Sequence, residues 1–183
     1  MNKVIIFPTD TVYGIGTPLF DDEGLKRIYD LKGRTFDKPI GLLVSDLLQV
    51  EKICITNEDF YKLSSIFWPG ALTMILPVRH EYQKKIGLKT LGLRMPNHSL
   101  ALRLIKENGP LRTTSCNFSG QEELNDYEKI LDVFIKKVND IYPNKEKILE
   151  VSSTVISLCG DLTILREGSI TLAQIKEVLE NDK

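Results

Sequence analysis

Hydroxyl, amide and cationic side chains gather in this sequence directly beside short apolar runs. Pro8-Thr9-Asp10-Thr11-Val12-Tyr13-Gly14-Ile15-Gly16 follows the first run, and Arg94-Met95-Pro96-Asn97-His98 follows another. Thr113-Thr114-Ser115-Cys116-Asn117-Phe118-Ser119-Gly120 closes a third, Ser152-Ser153-Thr154 precedes one, and Arg166-Glu167-Gly168 ends one. Loops at strand ends are where α/β proteins build their sites. A further basic segment, Lys32-Gly33-Arg34-Thr35-Phe36-Asp37-Lys38, lies just past a helical pattern, where cations also offset the helix dipole. Lys32, Arg34, Lys38, Arg94 and Arg166 together suit a polyanion of triphosphate size. Only seven residues of the chain are arginine, and two of them end strands. The arginine fork is the group that binds phosphate in bidentate fashion.

The residues also exclude chemistries. There is no GxxxxGK[ST], so a P-loop is absent, and Gly14-Ile15-Gly16 lacks the third glycine of a dinucleotide fingerprint. No GxSxG elbow surrounds Ser115, Ser119 or Ser153. Cys116 and His98 offer a thiol pair, but nothing local lowers the thiol pKa, and Cys116 reads as a small buried residue. No paired-carboxylate motif is present. The loops suit binding and electrostatic stabilisation better than acid–base work.

The elements that must carry these loops follow from periodicity. Val4–Phe7, Ile40–Val44, Leu72–Leu76, Leu91–Met95, Leu111–Thr114, Thr154–Leu158 and Leu162–Leu165 read as strands, the last two joined by a turn at Cys159-Gly160-Asp161. Asp22–Leu31, the stretch after the Thr56–Asp59 cap, Ser99–Asn108, Tyr127–Val138 and the stretch opened by Thr171–Gln174 carry helical spacing. Trp68-Pro69-Gly70 reads as a helix stop packed by the single tryptophan, and Pro143-Asn144-Lys145 as an exposed loop. Strands and helices interleave without strict βαβ order. The expectation is one α/β (α+β) domain over residues 1–183, on a twisted mixed sheet whose concave, basic face carries the loops.

Composition agrees. The chain has 183 residues, 42% hydrophobic and 27% charged, with a formal net charge of −1. That excludes a strongly basic protein that coats nucleic acid through its overall charge. No run approaches the ~20 apolar residues of a membrane span. The first apolar run stops at Pro8, too short for the core of a secretory signal. Cys54, Cys116 and Cys159 are odd in number and widely spaced, which argues against a zinc site or disulfide framework and for a reduced, cytoplasmic setting.

The loops resemble the YrdC-like domain of threonylcarbamoyl-adenylate synthases, enzymes of tRNA modification. The resemblance rests on seven segments in order: Pro8 to Gly16, Lys32-Gly33-Arg34 with Lys38-Pro39, Trp68 to Thr73, Arg94 to His98, Thr114 to Gly120, Ser153-Thr154-Val155, and Leu165 to Gly168. Thr35, Ala71, Cys116 and Ser157 depart from the family's usual residues without removing a charged or hydroxyl group expected at the substrate. The resemblance implies the short, single-domain form. It also implies formation of threonylcarbamoyl-AMP and pyrophosphate from L-threonine, bicarbonate or CO₂, and ATP.

Carried over by motif, Lys32, Arg34, Ser115 and Asn117 would be catalytic. Arg34, Lys38, Arg94, Asn117, Asn125 and Arg166 would bind ATP, and Thr11, His98, Ser115 and Ser153 would lie around threonine. Mg²⁺ would accompany the triphosphate, with no protein metal site. A separate tRNA threonylcarbamoyl transferase complex would receive the product, so tRNA contact would be indirect or weak. A different reading of the same concave face is a non-catalytic module that binds double-stranded RNA. The pI near 6.2 and the lack of a basic stripe interleaved with aromatics argue against it.

Overall fold

A computed structural model describes residues 2–180; the ends of the expected 1–183 domain, Met1 and residues 181–183, lie outside it. The strands are β1 (Ile5–Phe7), β2 (Gly14–Pro18), β3 (Gly41–Leu43), β4 (Leu72–Pro77), β5 (Thr90–Arg94), β6 (Leu111–Ser115), β7 (Asp140–Ile141), β8 (Thr154–Ser157) and β9 (Thr163–Arg166). The helices are α1 (Asp22–Lys32), α2 (Leu47–Ile53), α3 (Glu58–Phe67), α4 (His80–Ile86), α5 (Ser99–Asn108), α6 (Tyr127–Phe134) and α7 (Leu172–Glu180). One sheet joins the strands in the order β7-β1-β2-β6-β3-β5-β4-β8-β9. It is mixed: β1–β7, β3–β5 and β4–β8 are parallel, and β1–β2, β2–β6, β3–β6, β4–β5 and β8–β9 are antiparallel.

Period-two alternation sets which side chains meet the core and which meet the site. On β4, Leu72, Met74 and Leu76 are buried in a cluster with Phe60 and Leu63 of α3, while Thr73 and Ile75 turn to the other face. On β5, Leu91 and Leu93 join that cluster, and Gly92 and Arg94 face away from it. At the other end of the sheet β1 is buried on both faces. Val4 and Ile6 pack with Ile28 of α1 and Phe134 of α6, and Ile5 and Phe7 pack with Ala101 and Leu104 of α5.

Local signals end the helices where the site needs them. Asp21 caps α1 through Gly24 N, and Gly33 closes it at φ 58°, a left-handed conformation that glycine adopts at little cost. Asn57 caps α3, and Thr171 with Gln174 forms the expected reciprocal cap on α7. Trp68 is the structural stop its setting suggests. Its Nε1 donates to Leu72 O at 2.7 Å, and its ring lies edge-on to Phe60 at 5.5 Å.

The structure departs from the periodicity in places. Gly14–Pro18 is a strand and not part of a loop, α6 stops at Phe134 and not at Val138, and α2, α4 and β7 carry no signal strong enough to read.

Candidate active site

The sheet face opposite α3 holds a cavity of about 380 Å³. Its floor crosses four strands through Thr113 of β6, Gly41 of β3, Gly92 of β5 and Ile75 of β4. A side chain at either glycine would be tight. A Cβ on Gly41 would lie 3.1 Å from Gly92 O, and one on Gly92 would lie 3.3 Å from Thr73 Cγ2.

Arg34, Arg94 and Arg166 all open on this cavity, as do Thr11, Ser115 and Ser153. Three loops and three strand ends, far apart in sequence, thus converge as the motif order implies. Lys32, Lys38, His98, Asn117 and Asn125 do not line it.

The three arginines are not equivalent. Arg94 is almost wholly buried and already neutralised. Its Nη2 contacts Asp10 Oδ1 at 2.5 Å, its Nη1 donates to Thr11 Oγ1 at 2.7 Å, and its Nε donates to Gly70 O at 2.9 Å. Burial pushes its pKa down, and Asp10 opposes that shift. Arg34 and Arg166 donate to neutral oxygens. Arg34 Nε reaches Lys38 O at 3.0 Å and Nη2 reaches Pro39 O at 3.4 Å. Arg166 Nε reaches Ser153 O at 3.0 Å and Nη2 reaches Ser153 Oγ at 3.3 Å. Among the described residues neither is within salt-bridge distance of a carboxylate, although Glu123 is near enough to act on Arg166 electrostatically. The Arg166 segment is clamped in place because Gly168 N donates to Thr154 Oγ1 at 2.8 Å. Any Cβ on Gly168 would lie 2.2 Å from Ser152 O.

Lys32 sits behind the wall of the cavity. Its ammonium donates to Ser115 O at 2.5 Å, Asn117 Oδ1 at 2.6 Å and Asn117 O at 2.7 Å. All three hydrogens are therefore used by the Ser115–Asn117 turn. Ser115 Oγ donates to the same Asn117 Oδ1 at 2.8 Å, and Asn117 Nδ2 donates to Gln121 O at 2.6 Å. Burial lowers the Lys32 pKa to about 8. The neighbouring Cys116 is fully buried and its thiol is pushed up to about 12, which removes it as a nucleophile at neutral pH.

Lys38 is exposed, and its carbonyl accepts from Arg34 and Tyr29. Asn125 Oδ1 accepts from Tyr13 N at 3.0 Å, so its side chain fastens the Thr9–Gly14 loop from behind. His98 is buried at the start of α5. Its Nε2 lies 3.1 Å from Asn144 Oδ1, and its Nδ1 lies 4.0 Å from Glu146 Oε1. It opens on a second cavity of about 410 Å³ with Ser99, Arg103 and Glu146, apart from Thr11 and Ser153. Asp10 and Thr73 lie within the quoted motifs but their part in the site is visible only in three dimensions.

No group of three His, Cys, Asp or Glu that could hold a metal occurs among the described residues, and no carboxylate lines the cavity. A resident metal does not fit this donor set. No described helix is long and apolar enough to cross a membrane.

Fold and cavity together define an α/β protein with an arginine-lined cavity on one face of a mixed sheet. The chain belongs to the Sua5/YciO/YrdC family, whose model, described as "Telomere recombination", matches residues 1–168. It is 37% identical over 184 residues to the threonylcarbamoyl-AMP synthase of Bacillus subtilis, covering 97% of this chain and 53% of that protein. It is 33% identical to a putative threonylcarbamoyl-AMP synthase of Mycobacterium tuberculosis, covering 98% of this chain and 85% of that one. The crystal structure of Pyrococcus abyssi Sua5 complexed with L-threonine superposes with a TM-score of 0.90 at 34% identity, over 98% of this chain and 54% of that one. The chain thus spans about half the length of the Bacillus and Pyrococcus proteins.

Proposed function

We propose that the chain is an L-threonylcarbamoyladenylate synthase. The observation that carries this reading is the convergence of Arg34, Arg166, Thr11, Ser115 and Ser153 on one cavity, two cations outside any salt bridge among the described residues beside three hydroxyls. The relatives' names and the threonine complex of the Pyrococcus protein support it. Threonine's neutral amine adds to CO₂ (from bicarbonate), releases one proton to water and gives a carbamate, which is already an anion. One carbamate oxygen attacks the α-phosphorus of ATP, the bond to the bridging oxygen breaks, and pyrophosphate leaves. No strong protein base is needed, which matches a cavity without a carboxylate or an activated thiol. The residues supply position and charge. Arg34 and Arg166 face the phosphates and Thr11, Ser115 and Ser153 face the amino acid. Lys32 and Asn117 hold Ser115 in place, and Arg94 holds Thr11. Mg²⁺ enters with ATP, held by phosphate oxygens and water. A tRNA threonylcarbamoyl transferase complex would consume the product.

The test is pyrophosphate release with threonine, serine and valine, each with ATP and bicarbonate. A pocket that pairs with the substrate hydroxyl leaves its own polar groups unpaired when valine enters, so valine should be slower by about 10²-fold or more. Serine loses one methyl, about 1–3 kcal/mol, and should turn over slowly. Valine matching threonine would show that the hydroxyl is not read. RNA affinity with a steep salt dependence and no ATP turnover would favour the RNA-binding module instead.

Lys32 sets a pH limit. The ammonium is the form that fastens the Ser115–Asn117 turn, and it predominates below about pH 8. Turnover should fall along a one-proton limb as pH rises through that value. Lys32→Arg keeps the charge and should move the limb upward. An identical limb in Lys32→Arg and the parent would assign it to another group.

A further inference from the structure

Thr73 stands in the cavity on β4, and its Oγ1 lies 2.8 Å from Ser153 Oγ. Arg166 Nη2 donates to that same Ser153 oxygen at 3.3 Å. A hydroxyl has one hydrogen and two lone pairs, and a guanidinium only donates. Ser153 Oγ therefore gives one lone pair to Arg166. The Thr73–Ser153 pair holds two hydroxyl hydrogens and closes its mutual contact with one of them. The other meets no protein acceptor among the described residues, and both side chains line the cavity.

We propose that Thr73 is a positioning residue of this site. Its hydroxyl locks the Ser153 rotor, so that the pair presents one O–H beside the Arg166 guanidinium to an anionic substrate oxygen. Two donors, one of them charged, converge there and no carboxylate lines the cavity, which is the pattern that a carboxylate or a phosphate oxygen fits. This inference rests on the substrate site assigned above. The methyl of Thr73 packs over Gly92, so Thr73→Val keeps the shape and removes only the hydroxyl.

The experiment measures the Kd of L-threonine and of ATP separately by calorimetry, with melting temperatures, for the parent, Thr73→Val, Thr73→Ser, Ser153→Ala and the Thr73→Val/Ser153→Ala pair. Thr73→Val should weaken one of the two ligands about tenfold, as loss of one hydrogen bond to a charged group implies. The ligand affected identifies the oxyanion as the amino-acid carboxylate or a nucleotide phosphate. Thr73→Ser should restore binding, the melting temperatures should agree, and Thr73→Val should add less than about twofold in the Ser153→Ala background. Parent-like Kd values for both ligands in Thr73→Val would overturn the proposal, as would fully multiplicative effects in the pair. Binding of both ligands by a parent that forms no product would overturn the synthase reading alone.

Discussion

Replacing Arg94 with leucine should lower stability by about 3–5 kcal/mol, a fall in melting temperature on the order of 10 °C for a chain of this size. Arg94 is buried with Asp10, and removing it leaves that carboxylate without its partner, at 13% side-chain exposure. The cost comes from the stranded charge. Asp10→Asn in the Arg94→Leu background should therefore recover part of the lost stability. Activity should fail in Arg94→Leu as well, because Arg94 Nη1 fixes Thr11 Oγ1 in the cavity. Denaturation midpoints of the single and double variants measure this. A single variant as stable as the parent would show that Asp10 finds solvent easily and that the pair does not order the loop.

The second large effect concerns Arg34 and has the opposite profile. Arg34 is half-buried and donates only to carbonyl oxygens, so its charge is available to a ligand. Arg34→Ala should reduce turnover by about 10²-fold, as expected for one donor aimed at developing transition-state charge. The melting temperature should barely move, since a partly solvated charge outside any salt bridge contributes little to stability. Arg34→Lys should restore little, because lysine cannot hold the loop carbonyls and face a phosphate with the same rigid fork. Steady-state pyrophosphate release with matched melting curves gives the answer. Near-parent turnover in Arg34→Ala would return this residue to the surface as a solvated cation.

Residues far apart in sequence meet here, and only part of that was legible beforehand. The strands with alternating or β-branched runs and the capped helices declared themselves because periodicity and caps are local. β2 did not, because Gly14 and Gly16 lie under the Thr113 side chain and so cannot carry the β-branched residues that mark a strand. A Cβ on either would come within 2.7 Å of it. The site divides the same way. Residue types and motif order placed Arg34, Arg94, Arg166, Thr11, Ser115 and Ser153 together. They did not distinguish a cation that faces the ligand from one already used by the protein. That depends on partners distant in sequence, Asp10 for Arg94 and the Ser115–Asn117 turn for Lys32; the neutral amide of Asn125 is likewise used by a distant partner, Tyr13 N. His98 follows Arg94 closely in sequence, yet α5 carries it into the second cavity beside Asn144 and Glu146.

The most direct measurement follows carbon from ¹³C-bicarbonate in reactions with ATP, Mg²⁺ and L-threonine, with pyrophosphate counted in parallel. The proposed chemistry predicts one labelled carbon in a nucleotide with the mass of threonylcarbamoyl-AMP, one pyrophosphate per product, and neither signal when threonine or bicarbonate is omitted. Pyrophosphate released without bicarbonate, or without label in the nucleotide, would contradict it.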